Sequence, residues 1–211
     1  MDKRNRYMVD HADVLIAVWD GSPSGTGKTV VCRILKEQGG KIIDADKIAM
    51  KMQRSGQPAL AEIVDFFGPS VLLEDGELNR KLLGSIVFRD RKALLKLNAI
   101  VHKYVSAEIK QRIAQYRAQD QRFAVLDVPI PIEDGFFDVS DCIWAVIANN
   151  DLRIARLMKR MGISEAEAER RIAVQMSNRE YEEIADVTIL NEGDVGALKK
   201  LVLLELRRFL E

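Results

Sequence analysis

The residues best placed to do chemistry are Gly25, Thr26, Gly27, Lys28, Thr29 and Val30. Glycines allow successive backbone N–H groups to converge on phosphate oxygens. A lysine supplies charge for the β and γ phosphates of a nucleotide, and a hydroxyl after it can ligate Mg²⁺. The Gly27-Lys28-Thr29 triplet matches the end of the pattern G-x-x-x-x-G-K-[ST]. The first glycine of that pattern does not: Ser22 stands there, with Gly21 one residue early, and Pro23 brings no N–H donor. An ordinary glycine-rich strand-to-helix turn with an exposed lysine is the competing reading of this stretch.

Carboxylates form the second group. Asp44 and Asp46 fall between a short apolar run and a helical pattern, where aspartate commonly caps a helix. The functional reading is that Asp46 orients an acceptor hydroxyl or takes its proton, a positioning task that phosphoryl transfer requires. Asp127 ends another apolar run. A carboxylate there can hold Mg²⁺, directly or through water, or simply finish a strand. Arg160, Arg170 and Arg171 lie in a long helical pattern, where charges ordinarily face solvent. His102 lies in another such pattern. Cys32 and Cys142 suit small core positions.

Positioning these residues requires strands that alternate with helices. Ala12–Trp19, Lys41–Asp44, the run around Val125-Leu126, Ile143–Ile147 and Asp186–Leu190 read as five strands. Helical patterns lie between them, notably Arg89–Gln119 and Asn150–Met176, and an amphipathic helix covers Val195–Leu210. The expectation is a doubly covered parallel α/β sheet. No convincing strand falls between Gln57 and Gln119. That block is a helical insert over the carboxyl edge of the sheet, where ligands bind in such folds, and reads as a substrate-binding subdomain.

The chain has 211 residues, 47 % of them hydrophobic and 30 % charged, which is globular composition. Thirty-two basic residues balance thirty-two acidic ones. General nucleic-acid binding is therefore disfavoured. Two cysteines make neither a disulfide framework nor a zinc site, so the expected compartment is reducing and cytoplasmic. No apolar run reaches membrane-spanning length, and the N-terminus lacks the apolar core of a secretion signal.

From about residue 30 onward the chain resembles dephospho-coenzyme A kinase. The resemblance rests on Asp44-Ala45-Asp46-Lys47-Ile48-Ala49, Gly56-Gln57-Pro58-Ala59-Leu60, Phe67-Gly68, Leu72 to Arg80, Ile86-Val87-Phe88 and Leu97 to His102. It continues through Leu126-Asp127-Val128-Pro129, Arg156 to Arg160, Arg171-Ile172, Gln175-Met176, Ala185-Asp186, Asn191 and Gly193. Lys103 stands where the family usually has proline, and Pro131 is an additional proline after Asp127. Residues 4–21 instead resemble a Rossmann-like nucleotide-binding family related to DNA-processing protein A.

The resemblance implies a single phosphate-loop kinase domain over 1–211, with a five-stranded parallel sheet, an acceptor-binding insert at 57–119 and a helical lid at 150–176. It implies ATP and Mg²⁺ as cofactors and dephospho-coenzyme A as acceptor, phosphorylated on its 3′-hydroxyl. Asp46 becomes the residue facing the acceptor hydroxyl, beside Lys28 and Arg171 as catalytic groups. ATP falls to residues 25–30 with Arg160 and Asn191, and Mg²⁺ to Thr29 and Asp127. Two other readings fit the altered loop: a nucleotide binder without turnover, and a kinase of the same fold with another small-molecule acceptor.

Overall fold

The computed structural model describes residues 14–20, 26–128 and 140–211. Gly25, Ser22, Pro23, residues 4–13 and the segment from Pro129 to Val139 lie outside them, as do the side chains of Thr26 and Lys28. The chain divides into two compact units, Met1–Ile43 with Tyr116–Glu211, and Asp44–Gln115.

The first unit is an α/β sandwich. Its strands are β1 (Val14–Asp20), β2 (Lys41–Asp44, whose last residue opens the second unit), β3 (Phe123–Asp127), β4 (Cys142–Ile147) and β5 (Val187–Leu190). They lie in the order β2-β3-β1-β4-β5. The β1/β3, β1/β4 and β4/β5 ladders are parallel. Strand β4 is buried at every position, which is why Cys142–Ile147 reads as an unbroken apolar run.

Helix α1 (Thr26–Glu37) follows β1. Its Val31, Ile34 and Leu35 pack with Phe123, Trp144 and the Leu198, Val202 and Leu206 stripe of the C-terminal helix, Val195–Leu210. Trp144 meets Phe209 edge-on with ring centroids 6.4 Å apart. The chain leaves α1 through Gly39, at φ 94°, and Gly40. A Cβ at Gly40 would lie 2.5 Å from the Phe123 ring and 2.9 Å from the Leu35 carbonyl, so only glycine lets β2 start this close to the helix. Cys32 and Cys142 are both buried and free, as core residues. Burial pushes the Cys142 thiol up to about 12 and keeps it protonated.

The second unit is helical: α2 (Ala45–Met52), α3 (Pro58–Phe67), a short 3₁₀ turn at Pro69–Val71, α4 (Arg80–Arg89) and α5 (Arg91–Ala118), whose last turn belongs to the first unit. Leu60, Ile63, Val71, Leu78, Leu83 and Ile100 form its own core. The long helix expected over 89–119 is α5; it starts at Arg91 because the Asp90 carboxylate accepts from the Lys92 and Ala93 amides and caps it.

The pattern at 150–176 is two helices, α6 (Asn150–Met161) and α7 (Glu165–Ala173). Gly162, in the left-handed region at φ 63°, closes α6, and Ser164 caps α7 through the Glu167 amide. Helix α8 (Asn178–Ile184) and the C-terminal helix α9 (Val195–Leu210) complete the chain.

Candidate active site

In the first unit the site collects at the carboxyl ends of the parallel strands. Helix α1 begins at Thr26, six residues after the end of β1, which lies at the middle of the strand order. Gly27 is buried and Thr29 is exposed. The first turn of α1 holds no acidic residue. The partial positive charge of such a helix end favours an anion. Val30 is half-buried against the sheet core rather than facing the helix end.

Asp127 ends β3, in register with Val18 of β1. It therefore sits on the strand beside the one that leads into α1, and it is half-buried. Thr29 and Asp127 offer hard oxygen donors, and Mg²⁺ commonly takes one or two protein oxygens while water and phosphate supply the rest. The pair fits such an ion. Among the described residues there is no group of three or more His, Cys, Asp or Glu able to hold a metal.

On the other side of β1, the loop after β5 is tied to the start of α6. The Asn191 amide donates to the Ile147 carbonyl at 2.7 Å. Arg156 Nη1 donates to the Asn191 carbonyl at 2.7 Å. The Glu192 carboxylate accepts from both the backbone and the side chain of Asn149 at 3.2 Å. Asn149 in turn caps α6. Gly193 keeps the turn tight, since a Cβ there would stand 3.0 Å from the Ala197 methyl. Asn191 is thus positioned through its backbone, which leaves its amide side chain to be assigned by function.

Arginines dominate the α6–α7 segment. Arg153 is buried and spans it, donating to Asn150 Oδ1 at 3.1 Å and Gln175 Oε1 at 2.9 Å. Arg170 and Arg171 share Glu167: Arg170 Nη2 reaches Oε2 at 2.6 Å and Arg171 Nε reaches Oε1 at 2.9 Å. Hydrogen bonds from Arg170, then Arg171, hold the Glu167 carboxyl below its ordinary range. Arg160 is exposed at the end of α6. Arg153 and Arg156 carry structure that sequence reasoning assigned no role. The available signal was their spacing with Arg160, three and four residues apart on one side of a helix.

In the second unit the two aspartates separate. Asp44 is the cap of α2: Oδ1 accepts from the Lys47 amide at 2.9 Å and Oδ2 pairs with Lys47 Nζ at 2.9 Å. Asp46 is the second residue of the helix and is exposed. The cap bond to the Lys47 amide is made by Asp44. His102 is half-buried on α5. Its neighbour Lys103 donates to Glu62 Oε2 at 2.7 Å, and the Tyr104 hydroxyl donates to the same oxygen at 2.9 Å, clasping α5 to α3.

Comparison with known proteins bears on this arrangement. The model of the dephospho-CoA kinase family matches residues 21–196. A dephospho-CoA kinase of Carboxydothermus hydrogenoformans is 39 % identical over 184 residues, which is 87 % of this chain and 89 % of that protein. The crystal structure of TT1252 from Thermus thermophilus aligns with a TM-score of 0.74 at 24 % identity, covering 94 % of this chain and 98 % of the other. A dephospho-CoA kinase from Campylobacter jejuni aligns at 0.71 and 24 % identity, covering 93 % and 96 %. The two structures carry the fold. The family match over residues 21–196 and the 39 % identical relative place the chain in the dephospho-CoA kinase family.

Proposed function

We propose that this protein transfers the γ-phosphoryl group of ATP to the 3′-hydroxyl of dephospho-CoA. The observation that carries the reading is the family match over residues 21–196, laid across a helix that opens with Thr26-Gly27-Lys28-Thr29 behind the middle strand. In this reading the strands act as one parallel phosphate-loop sheet. Gly25, Thr26, Gly27 and Val30 contribute backbone to the cradle, and Lys28 balances charge on the β and γ phosphates. Thr29 and Asp127 would hold Mg²⁺, which would supply positive charge to balance the negative charge of the phosphates.

Phosphoryl transfer asks the protein mainly for alignment and charge stabilisation. Asp46 takes the alignment task. Its carboxylate accepts a hydrogen bond from the acceptor hydroxyl and receives its proton as the new O–P bond forms. Arg171 leaves Glu167 to meet the transferring group, and Arg160 follows from the end of α6. The α6–α7 segment thereby serves as a lid that excludes water, whose attack would waste ATP. Asn191 supplies a polar edge for the adenine.

The test is a turnover assay with ATP, Mg²⁺ and dephospho-CoA, read by mass spectrometry. One ADP and one CoA per ATP consumed is the expected result. ATP binding with no phosphorylated acceptor would overturn the reading.

A further inference from the structure

Among the described residues Arg153 is the one charged side chain that the fold buries, at 9 % exposure. Taking a charge out of water is costly, and an apolar side chain of similar size usually joins two elements at least as firmly. A guanidinium offers what an apolar group lacks: a rigid, planar fork of donors that fixes the direction between two acceptors. Arg153 uses that fork within the α6–α7 segment. Nη1 donates to Asn150 Oδ1 at 3.1 Å, in the first turn of α6, and Nη2 to Gln175 Oε1 at 2.9 Å, twenty-two residues away.

The second acceptor follows the position of α7. Gln175 lies just past that helix, and its amide donates to the Ile172 carbonyl at 3.0 Å. The roots of the segment are fixed separately. On the departing side Glu192 accepts from Asn149. On the returning side the Asn178 side-chain amide donates to the Ala148 carbonyl at 2.8 Å, just beyond the end of β4. Arg153 makes the next rung along the chain.

Each arm beyond this rung carries an arginine assigned to the transferring group. Arg160 stands seven residues on from Arg153, about 10 Å and two turns along the same face of α6. Arg171 stands four residues before Gln175. A tilt of about 10° at the rung would carry the far end of α6 by about 2 Å, and a misplacement of about 1 Å can cost about a hundredfold in rate. We propose that Arg153 is a positioning residue for phosphoryl transfer: by bridging Asn150 and Gln175 it sets the angle between α6 and the chain returning from α7, and so where Arg160 and Arg171 meet the phosphates. This inference rests on the lid role given to the segment under Proposed function.

Arg153→Met keeps the buried volume and removes the fork. Gln175→Met removes the second acceptor from a half-buried position, and decides the matter by the same readouts if Arg153→Met does not fold. The expected result in each is a kcat lowered about tenfold with both KM values within about twofold of wild type, because alignment in the transition state is lost and ground-state binding is not. ADP formed per CoA should rise above one, since a misaligned lid admits water. The double variant should be no slower than the slower single one, because both remove one shared bond. Gln175→Glu, which keeps an acceptor oxygen at the same reach, should retain wild-type kcat and one ADP per CoA. Variants that melt earlier but keep wild-type kcat and one ADP per CoA would overturn the inference and leave the kinase reading intact. A raised KM with unchanged kcat, or losses that add in the double variant, would overturn it equally. A wild-type protein that forms no CoA overturns both.

Discussion

Two helices follow strands in this molecule and begin in opposite ways. Helix α2 is satisfied from within: Asp44 accepts from the Lys47 amide, and Asp46 adds a second negative charge to the first turn. Helix α1 begins at Thr26, and its first turn has no acid. A helix dipole without an acid in its first turn favours an anion at α1, whereas α2 already carries acids at its start. In the proposed reading the contrast separates a phosphate-binding end at α1 from an acceptor end at α2, where Asp44 accepts from the Lys47 amide and Asp46 is exposed.

The largest expected effect comes from weakening the phosphate-binding end. Lys28→Ala should lower kcat by about 10²-fold or more, the usual scale for removing a charge-stabilising donor. Its melting temperature should stay near wild type. Near-normal turnover would show that α1 is an ordinary helix start and dissolve the contrast.

The acceptor end makes a paired prediction. Asp46→Asn should reduce kcat about tenfold to a hundredfold with little change in ATP affinity, since the lost group aligns the hydroxyl. Asp44→Ala should do the reverse. Removing a helix cap costs about 0.5–2 kcal/mol of stability, seen as a lower melting midpoint in a thermal scan. Should Asp46→Asn weaken ATP binding as much as it slows turnover, Asp46 would belong to the metal site.

Much of this was legible in the residues themselves. The β4 run reads as a strand because every one of its side chains is buried. The end of α1 was marked by Gly39-Gly40, the first at φ 94° and the second too close to Phe123 for a Cβ. The break between Met161 and Glu165 was not seen. Apolar periodicity carries across a three-residue interruption that holds no proline. The division of labour between Asp44 and Asp46 was also closed to periodicity, because both suit a cap and only the observed bond to the Lys47 amide decides. Arg156 stood in a recognised stretch without a role, since its partner is the backbone of Asn191, thirty-five residues away.

A smaller effect sharpens the phosphate-binding side. Arg171 rests on Glu167, a half-exposed pair of the kind that contributes little to stability. If Arg171 must leave that carboxylate to reach phosphate, Glu167→Gln makes leaving easier. The KM for ATP should fall about twofold to fivefold, which is the population shift expected from loosening one weak restraint. Arg171→Ala in the same background should erase the gain. A KM unaffected by Glu167→Gln would leave Arg171 as a surface ion pair and strip the lid of its arginine.

The smallest effect lies in the clasp of the helical unit. Lys103 holds the Glu62 carboxyl below its ordinary 4.5, with help from the Tyr104 hydroxyl. Glu62 in turn raises the Lys103 ammonium above 10.5. The signs follow from linkage. A depressed carboxyl contributes stability that is present above 4.5 and is lost as pH falls through its lower folded value. A raised ammonium contributes stability that is present below 10.5 and is lost as pH climbs past its higher one. The clasp is therefore constant across neutral pH and fails at both extremes. Both side chains reach solvent, so salt screens the pair and its share is small. Comparing melting midpoints of wild type and Lys103→Met should give a small, flat difference from about pH 6 to pH 9, closing in acid as Glu62 gains its proton. A difference that persists undiminished below the folded value of Glu62 would mean that Lys103 packs its alkyl stem against Tyr104, over whose ring its ammonium lies at 4.9 Å, and that the ion pair itself contributes nothing.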